Sequence, residues 1–175
     1  MQIISGRFKH QTIKSPNDTL THPMGSREKM ALFNMLTGEI TGKNVLDVFA
    51  GTGALGLEAL SLGAKSVVFI EKSPKIAKIL KENIENILKN ERNLARVVVS
   101  DLKNYKTEEK FDLIFADPPY DSYSEEILKP LEPILSETAI LVISIPKTAK
   151  TPEFEGLELI SRREYAGSAI ILYRK

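Results

Sequence analysis

The sequence predicts an α/β fold, a doubly wound and mostly parallel seven-stranded sheet with helices on both faces. Three observations carry that prediction. Apolar runs of strand length alternate with helical periodicity from residue 44 onward. The first run opens into a glycine-rich turn, VLDVFAGTGALG, in which Gly51, Gly53 and Gly56 satisfy G-x-G-x-x-G. Asp47, Glu71, Asp101 and Asp117 all fall at the ends of predicted strands, where sheets of this kind bind ligands.

The elements follow in order. Met1–Phe8 and Gln11–Lys14 read as two short strands around a polar break at Lys9-His10. Ser15–Gly25 holds Pro16, Asn17, Asp18 and Pro23 and reads as loop. Ser26 can cap a helix from Arg27 to about Leu36, with Met30, Leu32, Phe33, Met35 and Leu36 as its apolar face. Residues 1–43 thus form an N-terminal hairpin-and-helix extension, and 44–175 the main domain. Val45–Phe49 is the first strand there, followed by a helix over Ala54–Leu62. Gly63 stands where a left-handed C-terminal cap belongs. Ser66–Ile70 is the second strand. Ser73 caps and Pro74 opens a helix to about Leu88, whose stripe of Ile76, Ile79, Leu80, Ile84, Ile87 and Leu88 reads as core. Ala95–Val99 and Phe111–Ala116 are the third and fourth strands. A helix over Ser124–Leu135 follows, open to interruption at Pro130 and Pro133 because proline has no N–H to donate. Ala139–Ile145 is the fifth strand. Leu157–Tyr165 and Ser168–Tyr173 read as a closing antiparallel hairpin.

Composition narrows the function classes. A chain of 175 residues is expected to form one domain, and its 42% apolar and 27% charged content suits a soluble globular protein. No apolar run approaches the ~18 residues of a membrane span. Met1–His10 lacks the apolar core of a signal peptide. The absence of cysteine excludes disulfides, thiolate metal sites and a cysteine nucleophile. His10 and His22 are the only histidines, so no metal centre is expected. A cytoplasmic protein follows as the default, and a monomer, since no oligomeric interface is legible. The net charge of +1 conceals an asymmetry, with +3 in residues 1–43 and −2 in the remainder. That basic extension suits a phosphate-bearing partner, although a solvated surface produces the same imbalance.

Asp47 bears on the ligand. In a dinucleotide site the glycine turn holds a pyrophosphate at a helix N-terminus, and a carboxylate four residues before the first glycine would repel that anion. S-adenosylmethionine suits the site better. Its methionine tail carries an ammonium for Asp47, and its ribose hydroxyls suit a carboxylate such as Glu71. The glycines let the backbone turn tightly and approach the ligand closely. Asp101 is a candidate for the adenine amino group, with Leu102 lending a backbone N–H. Phe49 and Lys72, flanking the glycine turn and Glu71, complete the candidate donor-binding set. The competing role for Asp47 is a turn or helix cap, and for Asp101 a loop aspartate.

Asp117-Pro118-Pro119-Tyr120 is the second informative stretch. Two prolines stiffen the loop, so the Asp117 carboxylate and the Pro118 carbonyl are directed acceptors. They suit the two hydrogens of a planar NH2 group, and Tyr120 can stack on its face. An exocyclic amine is a poor nucleophile because its lone pair is delocalised into the base. Two acceptors favour the charged, more tetrahedral nitrogen of the transition state. A base in a duplex would have to be extruded to reach this loop. The competing role is a plain strand-ending turn.

These stretches resemble a known family. DVFAGTGALGLEALSLGA, FIEKSP, FDLIFADPPY and REKMALFNML are similar to the bacterial 16S ribosomal RNA guanine-N2 methyltransferases that modify guanine 966, class I enzymes with a Rossmann-like domain. The resemblance implies that Asp47, Gly51, Gly53, Glu71 and Asp101 bind S-adenosylmethionine, which leaves as S-adenosylhomocysteine. It implies that Asp117 to Tyr120 hold the guanine amino group, without a metal. It further implies RNA contacts, on 16S RNA or the 30S subunit, from the N-terminal hairpin and the loop leading to Arg27. The candidates there are Arg7, Lys9, His10, Lys14, His22 and Arg27. One departure is visible: the family's Arg-Pro-Thr-Thr-Asp is His22-Pro23-Met24-Gly25-Ser26 here. Three alternatives stay open: an amino-methyltransferase acting on adenine N6 or another amine, a non-catalytic RNA-binding assembly factor, and a dinucleotide-dependent oxidoreductase.

Overall fold

A computed structural model describes residues 1–16 and 24–175. Seven strands form one sheet in the order β3-β2-β1-β4-β5-β7-β6. They are β1 (Asn44–Val48), β2 (Ser66–Glu71), β3 (Ala95–Val99), β4 (Phe111–Ala116), β5 (Leu135–Pro146), β6 (Glu158–Glu164) and β7 (Ser168–Arg174). The first five strands run parallel, while β7 is antiparallel to both β5 and β6. The order reverses between β1 and β4, so their carboxyl ends flank the crevice where ligands bind.

Helices α1 (Ser26–Met35), α2 (Ala54–Ser61) and α3 (Pro74–Leu88) cover one face. Leu32, Phe33, Leu57, Leu60, Leu80 and Ile84 pack there on Val45, Phe69, Phe115, Val142 and Ile170. The opposite face buries Leu46, Val48, Ile114, Leu141 and Ile171 under Leu128, Leu131 and Ile134. Strands apolar on both sides are expected of a sheet covered on both faces.

Five details differ from the sequence reading. The N-terminal strands reduce to a single bridge between Gln2 and Thr12. Instead of extending a ladder, the Ile4 and Ser5 N–H groups donate to the Glu58 carboxylate (3.0 and 2.7 Å), and Phe8 N–H donates to Ser61 Oγ (2.9 Å). Helix α1 is capped by Gly25, not Ser26, and Gly25 N–H donates to Glu28 Oε2 at 3.0 Å. Its buried side includes Lys29 rather than Met30, which is 52% exposed. Lys29 is 1% exposed, and its Nζ lies 3.1 Å from Glu58 Oε2 and 3.0 Å from the Gln2 carbonyl. The stretch expected as an α-helix near Pro130 and Pro133 is a 3-10 helix over Glu125–Ile134, because two prolines remove two donors from one short run. Strand β5 begins four residues earlier than expected, at Leu135, with a register irregularity against β4 between Phe111 and Leu113.

The described part of the first 43 residues shares the main core. Ile3, Ile13, Leu36 and Ile40 join the same buried cluster as the helices of the sheet's first face. Asn83 of α3 reinforces the attachment. It accepts the Lys14 N–H (2.9 Å) and donates to the Lys14 and Thr52 carbonyls (3.0 Å each).

Candidate active site

Side-chain alternation builds the site. On β1, β2, β4, β5 and β7, the residues Val45, Phe69, Phe115, Val142 and Ile170 point to the same core layer. Two residues along, on the same face, come Asp47, Glu71, Asp117, Ser144 and Ser168. Five neighbouring strands therefore present five polar side chains at one end of the sheet. That end opens on a cavity of about 630 Å³, within the ~300–1,000 Å³ of small-molecule sites. Asp47, Phe49, Gly51, Glu71 and Lys72 line one wall, and Asp117, Pro118, Pro119 and Tyr120 the other. Pro16 and Met24, which flank residues 17–23, reach it from the extension.

The glycine turn is shaped by its neighbours. Gly51 N–H donates to Glu71 Oε2 (2.9 Å), and Ser73 N–H donates to Glu71 Oε1 (2.7 Å). Glu71 so ties the turn to the end of β2, and each of its oxygens keeps a lone pair for a further donor. Asp47 is 2% exposed and accepts the Gly56 N–H from α2 at 2.9 Å. Phe49 takes a left-handed conformation (φ 61°), uncommon outside glycine, where β1 turns into the loop. Gly53 (φ 88°) caps α2. Gly53 and Gly56 stand behind the wall. A Cβ on Gly56 would sit 2.2 Å from the Phe69 ring, so that glycine serves helix-on-strand packing.

Electrostatics set the site apart from the rest of the surface. Burial pushes the Asp47 carboxyl well above its usual range, against the Gly56 hydrogen bond, and Asp117 and Glu71 add to the rise. Burial likewise raises Asp117 to about 7, with the Ser144 hydroxyl opposing and Glu28 adding. The Tyr120 hydroxyl is raised by burial and by Asp117, and it lies 2.5 Å from Ser144 Oγ. Buried acids this close together favour a cationic ligand, which lowers the cost of ionising them.

Other predicted positions lie elsewhere. Asp101 and Leu102 follow β3 without lining the cavity. Asp101 Oδ1 accepts the Lys103 N–H (3.1 Å), and Leu102 is buried in the second core layer. Arg7 pairs with Glu91 (2.5 Å) and lies 4.5 Å over the Phe8 ring. Lys9, His10 and Arg27 are exposed, and Lys14 Nζ is 3.6 Å from Glu82. His22 lies outside the described residues. Among the described residues, no group of three or more His, Cys, Asp or Glu side chains is placed to hold a metal ion. Ser144, Ser168, Glu28 and Lys29 were missed by the sequence reading. A lone serine inside the apolar run ILVISIP was the available signal for Ser144.

A model of the family described as Conserved hypothetical protein 95 matches residues 1–174. The chain belongs to this family. Its Bacillus subtilis relative YlbH, described as a candidate rRNA methyltransferase, is 30% identical over 184 residues, covering 100% of this chain and 99% of that protein. Ribosomal RNA small subunit methyltransferase D of Haemophilus influenzae is 37% identical over 124 residues, which span 69% of this chain and 64% of that protein. The solved structure of an Escherichia coli methyltransferase candidate, yhhF, superposes with a TM-score of 0.87 at 27% identity, covering 100% and 97% of the two chains. The family member described here has the class I, Rossmann-like methyltransferase fold, as expected from its motifs. None of its described helices is long and apolar enough to cross a membrane.

Proposed function

We propose that this protein methylates the exocyclic N2 amine of a guanine in 16S ribosomal RNA, of the guanine-966 type, with S-adenosylmethionine as donor. One observation carries the reading. Asp47 and Glu71 on one wall and the Asp117–Tyr120 loop on the other close on a single cavity at the switch in strand order. The donor set fits the cofactor: buried carboxylates suit its cationic tail and ribose hydroxyls, and the glycine turn leaves room for close approach. When bound, that cofactor supplies an electrophilic methyl group on a sulfonium.

The chain's own residues do the rest. Asp47 takes the ammonium, and Glu71 takes the ribose hydroxyls while it holds Gly51 in place. Lys72 borders the same wall. Asp101 and Leu102, beyond β3, are assigned to the adenine edge. Asp117 and the Pro118 carbonyl accept the two amine hydrogens, aligning the nitrogen lone pair for in-line transfer. Tyr120 packs against the base. Asp117 takes up the proton lost by the amine, for which a carboxyl near 7 is matched to neutral pH. The exposed Lys9, His10 and Arg27, with Arg7, Lys14 and His22, contact the RNA backbone of a 30S particle or free RNA, and the enzyme acts as a monomer in the cytoplasm.

Tritium transfer from S-adenosylmethionine to 30S subunits lacking small-subunit methylation, followed by nucleoside analysis, tests this. N2-methylguanosine is the expected product. N6-methyladenosine, or label confined to DNA, would replace the substrate. Donor binding with no incorporation into any nucleic acid would indicate a non-catalytic RNA-binding factor.

A further inference from the structure

Two buried serines next to the cavity have no place yet in this chemistry. Ser144 of β5 and Ser168 of β7 are 2% and 3% exposed. Ser144 Oγ lies 2.5 Å from the Tyr120 hydroxyl, and its hydroxyl opposes the rise of the Asp117 carboxyl. Ser168 donates to Glu28 Oε1 at 3.1 Å, and its hydroxyl, like that of Ser144, opposes the rise of the Tyr120 hydroxyl. Glu28 Oε2 is held in turn by the Gly25 N–H at the start of α1. Three hydroxyls thus stand between two carboxylates, from the cavity wall to the N-terminal helix, with Tyr120 on Ser144 and Ser168 on Glu28.

We infer that Glu28 is a positioning residue for the Asp117–Tyr120 loop, acting through Ser168, Tyr120 and Ser144. The inference rests on the amine-methylating reading of that loop. Proton counting gives the line its behaviour. Five groups make four links, but three hydroxyls bring only three protons. With both carboxylates ionised, one link has no proton and two acceptors face each other. A proton on Asp117 fills the fourth link, and the Glu28 charge favours that proton. When Asp117 ionises, the hydroxyls reorient toward it, and the unfilled link moves toward the Glu28 end of the line. Among the described residues, the other charged groups at the cavity are Asp47 from β1, Glu71 from β2, Asp121 from the loop itself, and Lys29, Lys72 and Lys75. Of these, Lys29 directs its ammonium to Glu58 and the Gln2 carbonyl.

The test is a carbon-detected NMR titration of the Asp117 carboxyl in the full chain, for wild type, Glu28→Gln and Ser168→Ala. Removing the Glu28 charge is expected to move the Asp117 midpoint to lower pH by about half a unit or more. Ser168→Ala keeps that charge but cuts the line, and is expected to lower kcat about tenfold with donor Kd unchanged. Ser168→Thr, which keeps the hydroxyl, is expected to restore kcat. An Asp117 midpoint unmoved by Glu28→Gln overturns the inference, as does a Ser168→Ala enzyme with wild-type kcat. If the midpoint moves but no variant, nor wild type, methylates an amine, the coupling stands and the functional reading falls.

Discussion

Asp117 combines two opposed demands in one side chain. As the proposed acceptor for an amine it must be ionised, yet burial raises its carboxyl to about 7. In the unfolded chain the same group titrates near 3.9. The folded state therefore binds this proton more tightly. Its contribution to stability is fully present below about pH 4 and is lost as pH rises through about 7. Above that point ionised Asp117 costs up to about 4 kcal/mol, from 1.36 kcal/mol per pH unit. Asp117→Asn is accordingly expected to resist urea better than wild type at pH 8, by about 2–4 kcal/mol, with the gap closing toward pH 4. In wild type, kcat/KM is expected to rise with pH through about 7, and a flat profile between pH 6 and 8 would remove Asp117 from the acceptor role. Asp47, Glu71 and Asp117 were legible in the sequence because each ends an apolar run, and the sheet gathers strand ends. Glu28 and Ser168 were not. They meet across 140 residues of chain, and each resembles an ordinary helix or strand residue on its own.

At the level of elements, the strand–turn–helix unit from β1 to α2 depends on contact as much as on ligand. Gly56 faces the Phe69 ring and Val67 with no room for a methyl group. Gly56→Ala is expected to lower stability by about 1–3 kcal/mol through overpacking. A donor Kd measured under folding conditions should change far less. An unaltered urea midpoint would show that α2 shifts freely on β2. The glycine pattern was read as ligand chemistry, but only Gly51 of the three lines the cavity. Helix α1 carries a similar lesson. Periodicity placed Met30 inward, whereas Lys29 is inward because Glu58 offers it a buried partner. A sequence pattern counts lysine as surface, since it cannot see the carboxylate that neutralises it. Pro130 and Pro133, in contrast, did not interrupt their helix but made it 3-10 instead of α over Glu125–Ile134.

For the whole molecule, the N-terminal extension is welded to the domain it precedes. Glu58, Ser61 and Asn83 hold its backbone, and Lys29 shares the buried carboxylate. Lys29 accordingly drops out of the basic surface that composition suggested. The exposed remainder still includes Lys9 and Arg27, beside Arg7 and Lys14 in ion pairs with Glu91 and Glu82. Replacing Arg7, Lys9 and Lys14 together by Gln is expected to make the plot of log affinity for RNA against log salt shallower by about 1–2. An unchanged slope would place the RNA elsewhere on the surface.

The sequence alone determined the alternating order of strands and helices, the acidic strand ends and the stiff Asp117–Tyr120 loop. Each is written in a local pattern: hydrophobic periodicity, a glycine turn or a proline pair. Only the tertiary structure decided that five strands deliver Asp47, Glu71, Asp117, Ser144 and Ser168 to one face. It alone placed Glu28 against Ser168 and Lys29 inside the protein. Those outcomes depend on sheet order and on which buried charges find partners, and neither is a property of any short stretch of chain.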